Sequence, residues 1–125
     1  MISDYFRSIE QLITNSKLIE DKTIDFKEFS SDEGMSRGRL LFLGGYVLDF
    51  MEYIYLGKER PKYRFNFSDS QGNLIFRYDN AAHHKDTHTF PHHKHTPTED
   101  KASGEIGFAE VMYEIEILIL TNYDK

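Results

Sequence analysis

Residues 63–78 hold two apolar/polar alternations separated by a short polar turn. Tyr63-Arg64-Phe65-Asn66-Phe67 and Leu74-Ile75-Phe76-Arg77-Tyr78 each send every second side chain to one face of an extended strand. Between them, Asp69-Ser70-Gln71-Gly72 is turn chemistry. A period of two repeated across so short a link fits an antiparallel hairpin, and the register of that hairpin decides which side chains become core.

The same period runs earlier in the chain. From Thr23, Ile24 and Phe26 alternate with Asp25 and Lys27, with Phe29 after a small irregularity, and residues 30–34 turn the chain. Residues 37–43 read as a second strand, Gly44-Gly45 as a two-residue hairpin turn, and residues 46–56 as a long third strand. Before these strands, Ser3 can cap a helix whose buried stripe is Phe6, Ile9, Leu12 and Ile13, ending near Lys17. After them, a helix starting near Ser103 takes Phe108, Val111, Met112, Ile115, Leu118 and Ile119 at three- and four-residue spacing. A strand over residues 115–120 is the rival, but the stripe persists for three turns, which favours the helix. The expectation is one α+β domain over residues 1–125: a twisted antiparallel sheet of four to six strands with both helices on one face.

A chain without cysteine has no disulfide, no Cys-ligated zinc and no thiol nucleophile. The N-terminus has no basic stretch leading into an apolar run, and no apolar run is long enough to span a bilayer, so a soluble cytoplasmic protein away from membranes is expected. The net charge of -6 argues against a broad duplex-binding face, although Arg77, Lys85 and Lys94 leave room for a local phosphate site.

All six histidines fall within residues 83–95, inside a segment, 80–101, expected to be a loop. Imidazole exchanges protons near neutral pH and offers metals a neutral nitrogen, so the chemistry should be here. His83 and His84 point to opposite sides of an extended chain, as do His92 and His93, while His95 returns to the side of His93. Arg77 and Asp79 share one side of the strand that enters this segment, where they are either an ordinary surface pair or a phosphate clamp with a carboxylate that orients an imidazole. His83, His84, His92, His93, His95, Arg77 and Asp79 are thus the candidate catalytic set, with Asn80, Lys94 and Tyr78 as candidate substrate contacts. Asn80 can equally cap its own turn.

Two converging imidazoles beside a guanidinium suit metal-independent RNA cleavage, in which the 2′-hydroxyl is the nucleophile. The chemical rival is a zinc or nickel site on His84, His88 and His92, which are spaced four apart, completed by Asp79 or Asp86. The non-catalytic readings are a binding module for protein or nucleic acid, or a polar loop with no shared task. Arg37 and Arg39 can hold a backbone phosphate but as exposed strand residues need no special role, the strand aromatics read first as core, and Glu110, Glu114 and Glu116 read as the wet side of the last helix.

Arg77-Tyr78-Asp79-Asn80-Ala81-Ala82-His83-His84 followed by Phe90-Pro91-His92-His93-Lys94-His95 resembles the paired motifs of the TumE-like toxins of prokaryotic toxin-antitoxin systems. The chain departs from that pattern in having Ala82 where relatives often have proline before the two histidines. The resemblance implies a growth-inhibiting toxin neutralised by a small cognate antitoxin. RNA as the target is an expectation from the residues rather than from the family, and a homodimer is compatible with so small a core.

Overall fold

The computed structural model describes residues 1–58, 60–80 and 92–123. Helix α1 (Ile2–Asn15) is followed by strands β1 (Ile19–Glu28), β2 (Glu33–Phe42), β3 (Val47–Tyr55), β4 (Lys62–Ser68), β5 (Leu74–Asp79), β6 (His93–His95) and β7 (Asp100–Ala102), and then by helix α2 (Phe108–Tyr123). All seven strands pair antiparallel with their chain neighbours, in the order β1-β2-β3-β4-β5-β6-β7. The glycine pair does turn the chain between β2 and β3, with φ of 86° at Gly44 and 82° at Gly45, values that glycine adopts without the clash of a Cβ. The loop has three residues rather than two, however: the Gly45 N–H donates to the Phe42 carbonyl and the Phe42 N–H to the Tyr46 carbonyl.

Strand periodicity sets the two faces of this sheet. Leu40, Phe42, Leu48, Phe50, Tyr63, Phe65, Phe67, Phe76 and Tyr78 occupy successive inward positions and join α2 residues Phe108, Val111, Met112, Ile115 and Ile119 in one core. From α1, Ile9 and Ile13 reach the same core, while Ile2 and Phe6 pack with Ile54 at its edge. Both helices therefore cover one face, and the other mixes charged side chains such as Arg37, Arg39 and Arg64 with Met51 and Tyr53.

Several expectations shift. The sheet has seven strands rather than four to six, because residues 93–95 and 100–101 of the expected histidine loop fall in short strands, the second ending at Ala102. Three residues are too few to produce a legible alternation, so only their partners reveal them. Residues 33 and 34 belong to β2 rather than to the turn before it, and α2 begins at Phe108 instead of near Ser103. In α1 the N-cap is Met1, not Ser3, and Leu12 is exposed, its place in the stripe being taken by Ile2. No helix among the described residues is long and apolar enough to cross a membrane.

Candidate functional site

Strand β5 enters the site with Tyr78 facing the helices, so Arg77 and Asp79 face the side away from them, as their spacing requires. Strand β6 returns antiparallel beside it, with His95 opposite Arg77 and His93 opposite Asp79. Strand β7 then sets Asp100 opposite His95. Cross-strand partners share a face, so register alone gathers Arg77, Asp79, His93, His95 and Asp100 into one cluster.

Asp79 is its centre. His93 Nε2 lies 2.7 Å from Oδ1, while His95 Nε2 and Arg77 Nε lie 3.2 and 3.3 Å from Oδ2. The two rings stand edge to face with centroids 4.7 Å apart. The far nitrogen of His95, Nδ1, donates to Asp100 Oδ1 at 2.6 Å. Burial is graded: the side chains of His93, His95 and Asp79 are 1%, 7% and 8% exposed, and that of Arg77 is 32% exposed. Asp100, with a side chain 47% exposed, and Arg77 are thus the open members of the cluster.

Asp79, His93 and His95 also form a metal-capable group, with one donor atom from each lying within 4.8 Å of the others. An Asp100 carboxylate behind His95 is the kind of outer partner that fixes a metal-binding imidazole. In a tetrahedral zinc shell, with ligand bonds of about 2.0–2.1 Å, the donors stand about 3.3 Å apart. The His95 contact matches that separation, and the His93 contact at 2.7 Å is shorter.

The remaining candidates separate. His92 lies on the helix side of the sheet, buried, with Nδ1 2.8 Å from the Tyr63 hydroxyl and the two rings stacked at 5.7 Å. Burial, opposed by the nearby Arg60 charge, pushes the Tyr63 phenol up to about 12. Lys94 and Tyr78 are also on the helix side, where Lys94 donates to Glu114 Oε2 at 2.9 Å and the Tyr78 hydroxyl donates to Oε1 at 2.6 Å. Burial disfavours the Lys94 ammonium, but hydrogen bonds with Glu114 and Tyr78 outweigh it and hold the pKa above the ordinary lysine value. Neither Lys94 nor Tyr78 therefore shares a face with Arg77, and Glu114 is a bridging acid rather than part of the wet side of α2.

Asn80 accepts the Tyr63 backbone N–H at 2.9 Å and donates to the Arg60 and Pro61 carbonyls at 3.3 and 3.4 Å, tying the end of β5 to the start of β4. His83, His84 and His88 lie outside the described residues, as do Asp86, Phe90 and Pro91. The expected metal set of His84, His88 and His92 is therefore not the one the described residues assemble, since His92 is on the opposite side of the sheet from Asp79, His93 and His95.

Two charged groups were not anticipated, Asp100 in the cluster and Glu52 on the helix side of the sheet. Asp100 gives no signal in a stretch of mixed charges, and only the β6–β7 pairing brings it to His95. Glu52 did give one, being a carboxylate at an inward position of β3 between Phe50 and Ile54. It is fully buried, accepts the Tyr5 hydroxyl at 2.8 Å and pairs with Arg60, which also donates to the Ile106 carbonyl.

A family model described as Toxin TumE matches residues 9–119. The chain belongs to the TumE toxin family. Comparisons with curated proteins and with solved structures each give no match. In this TumE-family chain, the described ends of the two motif segments are paired strands: Arg77 and Asp79 come from the first, and His93 and His95 from the second.

Proposed function

We propose that this TumE-family chain is the toxin of a toxin-antitoxin pair, acting in the cytoplasm as a metal-independent ribonuclease that a cognate antitoxin restrains. The observation that supports this most is the Asp79 carboxylate, flanked by His93 and His95 on one side and by the partly open Arg77 guanidinium on the other. Arg77 takes the scissile phosphate through its planar donor fork. One imidazole accepts the proton of the 2′-hydroxyl as that oxygen attacks phosphorus, and the other gives a proton to the departing 5′-oxygen. The P–O5′ bond breaks, leaving a 2′,3′-cyclic phosphate and a 5′-hydroxyl. Asp79 orients both rings and balances the positive charge that moves between them.

A second reading has its own observation: the three donors of Asp79, His93 and His95, with Asp100 behind His95, suit a divalent zinc or nickel ion. A single experiment separates the two. RNA cleavage is followed with and without a chelator for the wild type and for Arg77→Ala, His83→Ala and His93→Ala. Chelator-resistant cleavage lost in Arg77→Ala and His93→Ala supports acid-base catalysis. Cleavage abolished by chelator and restored by zinc supports the metal reading. No turnover of varied RNAs under either condition removes both in favour of a binding role.

A further inference from the structure

The face of the sheet opposite the helices is ordered in rows. Pairing aligns Arg37, Met51, Arg64, Asp79 and His93 across β2 to β6, and a neighbouring row aligns Arg39, Asp49, Asn66, Arg77 and His95. The cluster at Asp79 is thus one end of a line that continues across the sheet to Arg37 and Arg39. With strands about 4.8 Å apart, Arg64 stands about 10 Å from His93, and Arg37 about 10 Å further on. A trough of about 470 Å³ covers the β1–β4 part of this line and stops at Arg64; Arg37, Arg39 and Arg64 border it together with Asp25 and Asp49, over a floor that includes Met51.

The charges there are poised for an outside anion. Arg64 is exposed and has no ion-pair partner among the described residues. Arg37 meets Asp25 only at 3.9 Å, and both side chains are more than half exposed. Arg39 is held more tightly by Asp49, at 2.7 Å, which leaves Arg37 and Arg64 as the cations open to a ligand. Beside the row, on the same face, Phe29 and Tyr53 stack with centroids 5.8 Å apart, and Phe29 is 53% exposed. A cationic groove with an exposed aromatic step is the combination that holds single-stranded nucleic acid, phosphates on the charges and a base on the ring.

We infer that this open face is a track for single-stranded nucleic acid, in which Arg64 and Arg37 bind phosphates flanking the one at Arg77 and Phe29 stacks a base. The inference rests on the ribonuclease reading for its direction, since the track ends at the imidazole pair. It explains how a chain of net charge -6 engages a polyanion: the cations that matter lie in a line leading into the site.

The test is fluorescence anisotropy of the full chain with a short labelled 2′-deoxyoligonucleotide, which lacks the attacking hydroxyl, over a series of salt concentrations. Each phosphate contact on a single strand contributes about 0.7 to the slope of log affinity against log salt. Arg64→Ala and Arg37→Ala should each make the slope shallower by about that amount, while Arg7→Ala on α1 leaves it unchanged. Phe29→Ala should weaken binding at every salt concentration without altering the slope. Wild-type binding that is insensitive to Arg64→Ala and Arg37→Ala overturns the inference, as does no measurable binding by the wild type. Binding that follows the expected pattern while RNA is never cleaved leaves the track standing and removes the ribonuclease reading alone.

Discussion

Replacing Asp79 by asparagine keeps the shape of the side chain and removes the charge on which the cluster converges. The carboxylate, 8% exposed, meets His93, His95 and Arg77 at 2.7, 3.2 and 3.3 Å. The amide oxygen of asparagine can still accept from Arg77, but the amide nitrogen turns a donor toward an imidazole, so about one charge-assisted contact is lost. Such a contact contributes roughly 1.5–3 kcal/mol. For a chain of this size each kcal/mol moves Tm by about 3–5 °C, interpolating between smaller and larger domains, so calorimetry should show a fall of roughly 5–15 °C. Activity should fall further than stability. Misdirected imidazoles lose the proton transfers themselves, which are worth about 10²–10⁴ in rate. Urea titration and RNA cleavage, measured on the same folded sample below its Tm, separate the two effects. Cleavage within threefold of the wild type would refute the role given to Asp79, whatever happens to Tm.

Three further outcomes follow from the same geometry. Tyr63→Phe deprives His92 of its hydroxyl partner and should lower stability by about 1–2 kcal/mol in urea titration while leaving cleavage within a few-fold, because His92 lies on the helix side; loss of activity in the folded variant would bring His92 back into the chemistry. Burial raises the Glu52 pKa above its ordinary 4.5 against the opposing pull of Arg60 and Tyr5. A carboxyl that holds its proton more tightly when folded contributes stability fully below pH 4.5, and the contribution declines as pH rises through the raised folded value. Glu52→Gln should therefore flatten the pH dependence of stability over that window, and parallel profiles for variant and wild type would contradict the assignment. At Gly38 an added Cβ would meet the Thr23 carbonyl oxygen at 2.6 Å and the Phe50 ring at 3.1 Å, so Gly38→Ala should cost about 1–3 kcal/mol by denaturant titration, whereas a neutral result would mean that β1 and β2 can part without cost.

Where the sequence was legible, side-chain period was the reason. Residues 63–67 alternate without interruption and residues 74–78 do so apart from Ile75, and they became β4 and β5 with Phe65, Phe67, Phe76 and Tyr78 inward. Arg77 and Asp79 could be placed on one face for the same reason, and His93 and His95 on a common side of their own segment. What the sequence could not supply was register between segments far apart in the chain. Nothing in His93-Lys94-His95 says that it pairs with β5, and without that pairing Lys94 looks like a substrate contact rather than the partner of Glu114 on α2. Asp100 was invisible for the same reason. Glu52 was a different kind of omission, since a charged residue at an inward position between Phe50 and Ile54 is itself a signal that a buried partner such as Arg60 must exist.

The most direct measurement compares one RNA with its 2′-deoxy counterpart, both incubated with the chelator-treated wild-type chain, and identifies the ends of any products. If His93 and His95 transfer protons around a phosphate held by Arg77, the RNA is cut to 2′,3′-cyclic phosphate and 5′-hydroxyl ends and the deoxy strand stays intact. Cleavage of both strands, 3′-hydroxyl products, or activity only after metal is restored would contradict that account.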